Sequence, residues 1–289
     1  MWKASDGIGS IQVMEVFGSD LTVVNAARVS FAKESTEFSA GDEKLIKYLA
    51  THNHTSPFFH PQIRLRIKMP IFVAREWFRH QIGFARNEVS RRYVDFKPET
   101  WIPSPEDLRA RDPKLKQGSQ EAPVENSIIL SAEINEHCDG MVNFYQHLLD
   151  HNVAPEIARC VLPQGMYTEF VETGSLAAYS RLILLRTDPG AQREIQAYAR
   201  GITSLLAPYF PVSWSALTKT EPPAPSTYTL HRYSSNVFRD CDTRHHREVP
   251  VRTTSSVRDC GCNPDHPDFK EPCPVCSNQA PRNSPDHGR

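Results

Sequence analysis

The chain has 289 residues, of which 39% are hydrophobic, so it can bury a core large enough for one large domain or two small ones. It carries 33 basic and 34 acidic residues, and this net charge of −1 excludes a chain-wide electrostatic attraction to nucleic acid or membranes. No apolar run reaches the roughly 18 residues of a membrane span and no signal-peptide core follows Met1, so we expect a cytoplasmic protein without membrane contact.

The first clear element in chain order is a strand over residues 63–69, where apolar and basic residues alternate with a period of two. Pro70 ends this strand. Because proline suits the first turn of a helix, we predict a helix from Pro70 to about His80. Residues 104–125, rich in Pro, Asp, Lys, Gln and Glu, predict a surface insertion, a candidate flexible flap.

Helices dominate the second half of the chain, and we predict them over residues 127–150, 155–171, 175–186 and 189–207. Pro163 should kink or break the second of these helices, and Asp188 should cap the last. Strands concentrate in the first half of the chain. This distribution favours an α+β fold, with a mixed or antiparallel sheet packed against helices.

Proline marks a domain boundary near residue 221, because residues 222–289 hold 10 of the 23 prolines. We therefore predict a globular domain over residues 1–220 and a Pro-rich linker with a Cys/His-rich tail over residues 221–289. The tail carries four thiols at near zinc-ribbon spacing, Cys260, Cys262, Cys273 and Cys276. Since the first pair is Cys-x-Cys instead of Cys-x-x-Cys, a structural zinc site and a disordered tail with incidental cysteines are both open.

The strongest chemical signal is a basic segment over residues 64–92, which holds eight basic and two acidic residues in a nearly neutral chain. Its guanidinium groups, with the Ser90 hydroxyl and the Glu88 carboxylate, suit a phosphate attached to a sugar or base. A solvated basic loop is the alternative, because charge runs are most often surface features. No Gly-x-Ser-x-Gly surrounds Ser90, which disfavours a hydrolase nucleophile.

A motif lies inside this segment: Arg79-His80-Gln81, eight residues and then Ser90, with Asn87-Glu88 before the serine and Arg92-Tyr93 after it. Four more blocks accompany the motif, namely Ala27-Arg28-Val29-Ser30, His54-Thr55-Ser56-Pro57-Phe58, Ala158-Arg159-Cys160-Val161-Leu162-Pro163 with Tyr167-Thr168, and Leu185-Arg186-Thr187-Asp188-Pro189-Gly190. With these blocks, residues 20–215 resemble the flavin-dependent thymidylate synthases, whose signature is Arg-His-Arg, seven residues and then Ser. Gln81 and the longer loop depart from that signature.

The resemblance implies a thymidylate synthase-complementing type fold and a catalytic domain over residues 1–220 that methylates dUMP at C5. It also implies methylene-tetrahydrofolate as the one-carbon donor, FAD as the cofactor, NADPH as the reductant, and a homotetramer with shared active sites. Such enzymes need no cysteine nucleophile, so we expect Cys138 and Cys160 to be small buried hydrophobes in helical segments.

For the dUMP substrate the resemblance implies a set of mainly charged residues: Glu76, Arg79, Glu88, Ser90, Arg91, Arg92, Arg159 and Arg186. Arg159 is expected to reach the phosphate from a neighbouring subunit. Arg186 is the candidate catalytic residue, because a fixed positive charge near the uracil ring favours loss of the N3 proton and moves electron density towards C5. From the residues alone, a partner for the dipole at a helix end is an equal alternative for Arg186.

For FAD the resemblance implies Ser56, Arg79, His80, Gln81, Asn87, Glu88, Ser175 and Arg181. Arg79 and His80 would place positive charge at the electron-rich edge of the flavin, where it stabilises the anionic reduced form. The chain departs from the family at Glu76, where Gln is common, and at Phe59, where Glu is common.

These departures indicate a divergent branch and leave room for altered chemistry at C5. Two alternatives to thymidylate synthesis are therefore open. One is a related flavoenzyme that installs another one-carbon group, such as hydroxymethyl, on a pyrimidine nucleotide. The other is a non-enzymatic nucleic-acid-binding module built from the basic segment and the tail, against which the neutral net charge argues.

Overall fold

A computed structural model describes residues 1–94, 96–114 and 118–219 of the chain. The boundary predicted near residue 221 lies outside the described residues, and so do the candidate zinc ligands Cys260, Cys262, Cys273 and Cys276. Both stay predictions from the sequence. The zinc prediction is tested by comparing the zinc content of the full-length protein with that of a chain that ends at residue 221.

Strands and helices alternate in short groups along the chain. The strands are β1 (Trp2–Lys3), β2 (Ser10–Phe17), β3 (Gln62–Pro70), β4 (Phe84–Glu88), β5 (Arg109–Arg111), β6 (Ser119–Pro123) and β7 (Tyr167–Ser175). The α-helices are α1 (Asp20–Arg28), α2 (Ala40–Thr51), α3 (Ile71–Trp77), α4 (Ser127–Asp150), α5 (Pro155–Ala158), α6 (Leu176–Arg186), α7 (Arg193–Leu206) and α8 (Pro211–Thr218). Short 3-10 helices cover Val29–Phe31, Ser56–Phe59, Pro105–Asp107 and Arg159–Val161.

A five-stranded antiparallel sheet lies at the centre of the fold, with the strand order β1-β2-β3-β7-β4. Ile63, Leu65 and Ile67 of β3 are fully buried, whereas Arg64 and Arg66 are exposed. This alternation confirms the strand predicted over residues 63–69, and it gives the sheet one buried and one solvated face.

Large aromatic side chains fill the core between the buried face of the sheet and the helices. Trp77, Phe170, Tyr179, Phe210 and Trp214 are each at most 1% exposed. They come from α3, β7, α6, the residue before α8, and α8 itself, so distant segments of the chain meet in one core. The fold is α+β with an antiparallel sheet, as predicted.

The helix predicted over residues 155–171 is wrong after residue 161. α5 and a 3-10 helix form its first part, Pro163 follows, and residues 167–175 form β7 between β3 and β4. β-Branched and aromatic residues in this strand favour extended backbone, and pairing on both sides stabilises it. The helices predicted over residues 127–150 and 175–186 are confirmed, the second with a start one residue later.

The last predicted helix begins later than expected. α7 starts at Arg193 with Gln192 as its N-cap residue, so the prediction that Asp188 caps it is wrong. Asp188 Oδ1 instead accepts a hydrogen bond from the Gly190 N–H at 2.8 Å. This contact is typical of an Asx turn, which Pro189 and Gly190 favour over a helix.

The insertion predicted over residues 104–125 contains the antiparallel hairpin of β5 and β6. Two ion pairs attach the hairpin to the start of α7: Arg109 Nη2 lies 2.8 Å from Glu194 Oε1, and Arg193 Nη2 lies 2.5 Å from Glu121 Oε2. The Arg109 side chain is only 7% exposed. The described part of the insertion is therefore anchored to the domain, unlike the flexible flap that was expected.

Position 83 requires glycine because of both its backbone conformation and its surroundings. Its φ is +84°, and a Cβ there would meet Ala178 Cβ at 2.9 Å and Ser175 Oγ at 3.2 Å. We expect Gly83→Ala to lower the free energy of unfolding by about 1–3 kcal/mol, measured by urea denaturation. Gly41→Ala is the control, since a Cβ there meets nothing closer than 3.6 Å. Equal losses in the two variants would contradict this reading.

Candidate active site

The turn after α3 carries the first half of the motif, and hydrogen bonds fix it at both ends. The His80 N–H donates to the Trp77 carbonyl at 3.1 Å, which continues α3 by one turn. Arg181 Nη2 donates to the Ile82 carbonyl at 2.7 Å. Because Arg181 belongs to α6, the turn is held against that helix.

Three side chains, Glu76, His80 and Arg186, meet where α3, the turn and α6 come together, and we call them the α3–α6 cluster. Arg186 Nε donates to His80 Nε2 at 2.9 Å, and Arg186 Nη1 forms an ion pair with the Glu76 carboxylate. The Arg186 and Glu76 side chains are 20% and 27% exposed. The Glu76 carboxylate therefore offsets the charge of Arg186 and fixes the plane of its guanidinium.

The His80 imidazole is neutral in this cluster. Burial, followed by the charges of Arg186, Arg86 and Arg181, lowers the pKa of His80 from 6.5 to about 4. Near pH 7 its Nε2 therefore accepts the hydrogen bond from Arg186. His80 therefore does not carry the positive charge expected of it, and the positive charges around it are those of Arg186, Arg86 and Arg181.

A cavity of about 490 Å³ lies between α3, the end of β4 and the segment that precedes β7. Ser90, Arg91 and Arg159 of the predicted substrate set line it, together with Arg75, and we call it the arginine cavity. Guanidinium groups and a hydroxyl around one cavity form a donor set for a phosphate monoester. Although Arg159 was expected to come from a neighbouring subunit, it lies beside Ser90 within one chain.

Arg91 and Arg92, adjacent in sequence, have different surroundings. Arg91 is buried, with its guanidinium 4.3 Å from the centre of the Phe96 ring and a hydrogen bond to the Phe96 carbonyl. Arg92 does not line the cavity but forms an ion pair with Glu156 at 3.2 Å. The Glu156 carbonyl accepts Arg159 Nε at 3.3 Å, so Glu156 connects Arg92 to the cavity rim.

β4 carries two further motif residues on opposite faces of the sheet. Glu88 lines the arginine cavity, and its Oε1 accepts a hydrogen bond from Thr168 Oγ1 at 2.6 Å. Asn87 is exposed, and the alternation of side chains along a strand puts it on the other face. The structure therefore separates Asn87 from Glu88, although both were expected to contact FAD.

The start of α6 carries two of the predicted flavin residues. Ser175 is buried; its N–H donates to the Gly83 carbonyl at 3.1 Å, and its hydroxyl accepts from the Ala178 N–H at 3.2 Å. Ser175 thus caps α6 and fixes the turn. Arg181 is exposed, with its guanidinium 5.8 Å from the centre of the Phe59 ring.

The other predicted flavin residues are open to solvent. Ser56, Arg79 and Gln81 are exposed, and the Arg79 side chain forms no ion pair with any described residue. Exposed hydroxyl, guanidinium and amide donors fit a cofactor that carries a pyrophosphate. The chemistry of these donors is thus compatible with FAD.

Sequence reasoning missed several residues of the arginine cavity, among them Arg75 and Cys160. Arg75 lines it and donates from Nη1 to Gln164 Oε1 at 3.1 Å. Its place one turn before Arg79 on a basic helix was the available signal. Cys160 also lines the cavity and is exposed, so the expectation that it is a buried hydrophobe is wrong, whereas Cys138 is buried as expected.

Metal and membrane features are absent from the part of the chain that the structure describes. Within residues 1–94, 96–114 and 118–219, no group of three or more His, Cys, Asp or Glu side chains could hold a metal ion. No helix within those residues is long and apolar enough to cross a membrane.

Comparisons with known proteins agree on one family. The sequence pattern of the family described as "Thymidylate synthase complementing protein" matches residues 12–212. A flavin-dependent thymidylate synthase of Thermus thermophilus is 38% identical over 209 residues, which cover 72% of this chain and 75% of that protein. One of Kosmotoga olearia is 39% identical over 212 residues, covering 72% of this chain and 89% of that protein.

A solved structure adds a likeness of fold. The crystal structure of a UMP/dUMP methylase, PolB from Streptomyces cacaoi, bound with 5-Br dUMP, has a TM-score of 0.66 and 30% sequence identity. The match covers 75% of this chain and 97% of that one. From the family match, these identities and the shared fold, we conclude that the chain belongs to the thymidylate synthase complementing family, that of the flavin-dependent thymidylate synthases.

Proposed function

We propose that the protein is a flavin-dependent thymidylate synthase, which converts dUMP to dTMP with methylene-tetrahydrofolate as the one-carbon donor and NADPH as the reductant. The observation that carries the proposal is the arginine cavity, which gathers Ser90, Arg91 and Arg159 at the end of the family motif. The relatives are named as flavin-dependent enzymes, and the exposed donors around Arg79 fit the pyrophosphate of FAD.

The phosphate of dUMP binds in the arginine cavity. It is an anion near neutral pH, and it accepts hydrogen bonds from the Ser90 hydroxyl and from the guanidinium of Arg159. Arg91 and Arg75 add positive charge from the wall, and Arg92 reaches the phosphate by leaving Glu156. The Glu88 carboxylate, which also lines the cavity, accepts a hydrogen bond from a hydroxyl of the sugar.

Arg186 activates the uracil ring. Its guanidinium has N–H donors beyond the two used for His80 and Glu76, and these can donate hydrogen bonds to the ring. A positive charge beside the ring stabilises the N3 anion, which makes C5 more nucleophilic. The charge of Glu76, which would repel a nucleotide phosphate, is offset within the α3–α6 cluster.

The flavin is held by Ser56, Arg79, Gln81 and Arg181, while His80 and Ser175 keep the turn between them in place. When bound, FAD would supply the redox chemistry of the reaction, the passage of hydride from NADPH to the one-carbon unit. Asn87 is left out of this set because it lies on the other face of the sheet.

A homotetramer completes the site. The α3–α6 cluster and the arginine cavity are separate groups within one chain, and in a tetramer the cavity of one subunit meets the cluster of another. α4 supports such assembly, because it buries only Cys138, Val142 and Tyr145 and exposes a set of large apolar side chains: Ile128, Ile129, Leu130, Met141 and Phe144. Exposed apolar surface of this kind is typical of subunit interfaces.

The spectrum of the purified protein tests this function first. We expect a yellow protein, or one that takes up FAD on reconstitution, and conversion of dUMP to dTMP when methylene-tetrahydrofolate and NADPH are added. The mass of the product separates thymidylate from a hydroxymethyl nucleotide. A colourless protein that binds no FAD would contradict the proposal.

Methylation of UMP is a second candidate activity. The chain aligns with 97% of the UMP/dUMP methylase PolB, and the 5-Br UMP complex of that protein also matches, with a TM-score of 0.62. Turnover of UMP and dUMP measured in one competition assay decides between the two substrates. Product from dUMP alone would remove this candidate.

A further inference from the structure

A buried carboxylate, Glu172, contacts Trp77, the residue after Glu76 of the α3–α6 cluster, and has no part in the chemistry proposed above. Its side chain, on β7, is 0% exposed and forms an ion pair with Arg86 of β4, which is 14% exposed. Aromatic rings surround the pair. The Arg86 guanidinium lies 5.4 Å from the centre of the Phe78 ring and 4.7 Å from that of Phe84.

Stability alone is a poor explanation for this ion pair. Taking two charges out of water carries a large free-energy cost, and well-packed apolar residues of similar volume are often at least as stable. Burial raises the pKa of Glu172, and Arg86, Trp77 and Tyr179 only oppose that rise. Arg86 Nη2 is buried without a hydrogen-bond partner among the described residues. The geometry that the pair imposes is the better explanation.

Glu172 is connected to each element that carries the α3–α6 cluster. Both of its carboxylate oxygens lie 3.3 Å from Trp77 Nε1, which donates to them. Trp77 follows Glu76 in α3, and its carbonyl accepts the His80 N–H at 3.1 Å. On α6, two turns before the end of the helix, the buried Tyr179 hydroxyl faces Glu172 closely enough for electrostatic interaction, although the two do not meet hydrogen-bond geometry.

We infer that Glu172, with Arg86 as its counter-charge, is a positioning residue that holds α3, the turn and α6 where the α3–α6 cluster can form. The effect of Glu172 on catalysis rests on the proposed function. Its effect on the geometry of the cluster can be measured in the protein without substrate, so the two effects can be tested separately.

The catalytic effect is measured in a double variant, Glu172→Leu with Arg86→Met, which removes both charges and keeps apolar volume. We expect it to fold and to bind FAD, with kcat for methylation lower by about 10- to 100-fold, because small misplacements of reacting groups are costly. The KM for dUMP should change little, since Arg86, Trp77 and Glu172 do not line the arginine cavity.

The matched control is another largely buried ion pair, Arg109 with Glu194, whose side chains are 7% and 16% exposed. Arg109→Met with Glu194→Leu should alter stability to a similar degree and leave kcat unchanged. A wild-type kcat in the Glu172 double variant would overturn the inference. If that variant does not fold, Glu172→Gln decides: lower kcat at unchanged KM supports the inference, and wild-type kcat overturns it.

A second readout does not depend on activity, namely the pKa of His80 followed by NMR of labelled histidine in Glu172→Gln. The charges that lower the pKa of His80 are those of Arg186 and Arg181 from α6 and Arg86 from β4, and Glu76 of α3, the other charged member of the cluster, is paired with Arg186. In this variant Arg86 keeps its charge without a counter-charge, so electrostatics alone would hold or lower the pKa. A rise towards 6.5 requires that His80 has become less buried or that Arg186 has moved away. Either change means that the cluster has lost its geometry and supports the inference, whereas an unchanged or lower pKa overturns it. An inactive wild-type enzyme would contradict the proposed function only.

Discussion

Arg186→Lys should slow methyl transfer by about 10²–10³-fold in single-turnover experiments, with flavin reduction by NADPH close to the wild-type rate. Arg186 makes two directed contacts, from Nε to His80 and from Nη1 to Glu76. Lysine keeps the charge but lacks the planar fork, so it cannot hold both contacts and also donate to the substrate. The interaction with uracil strengthens as the ring becomes anionic, and only interactions that are stronger in the transition state raise the chemical rate.

Rapid mixing separates the two half-reactions, and the FAD affinity is measured in parallel because Arg186 contacts His80. Arg200→Lys is a suitable control, since Arg200 lies on α7 and its side chain bonds only Gln196 Oε1 among the described residues, at 2.6 Å. Impaired flavin reduction together with a wild-type rate of methyl transfer from pre-reduced enzyme would move Arg186 to the cofactor-binding set.

Arg159→Ala should weaken dUMP binding by about 10- to 150-fold, the range for loss of one hydrogen bond to a charged group. Arg159 is exposed, lines the arginine cavity and contacts only the Glu156 carbonyl within the described chain. Its removal therefore leaves no buried group unpaired, and the variant should fold normally. Affinity for FAD should not change, because Arg159 lies apart from the turn that carries Arg79 and Gln81.

Calorimetric titration of both ligands measures this effect. Arg193→Ala, which removes a partly exposed arginine paired with Glu121, is the control for a general change in charge. Unchanged dUMP affinity in Arg159→Ala would show that the phosphate binds elsewhere. A fall in affinity that equals the fall in the control would mean that net charge, not the cavity, governs binding.

The periodic parts of the fold were predictable from the sequence. The strand over residues 63–69 alternates apolar and basic residues, and the helix over residues 127–150 has the same bounds in the structure. β7 was mistaken for a helix because its residues are buried on one face and partly covered on the other, which weakens the period-two pattern. Its identity depends on pairing with β3, which lies about a hundred residues earlier and is invisible to local patterns.

The chemical part of the site was predictable only as a set of residue types. Motif matching found Ser90, Arg159 and Arg186, but it could not reveal that they form two groups within one chain. It also missed Arg75, which the family motif does not include. The ion pair of Arg86 with Glu172 joins two strands, and neither residue alone signals a buried charge in the sequence.

α3 has only seven residues, and two neighbours within it serve different groups: Arg75 lines the arginine cavity, while Glu76 pairs with Arg186. Consecutive helical side chains point about 100° apart, so one rigid helix fixes both directions at once. For anyone who wishes to engineer the enzyme towards other nucleotides, the consequence is practical. Mutant libraries that vary the cavity should leave α3 untouched, because a change that reshapes the proposed nucleotide pocket through this helix would also move Glu76, which orients Arg186, the residue proposed to activate the base.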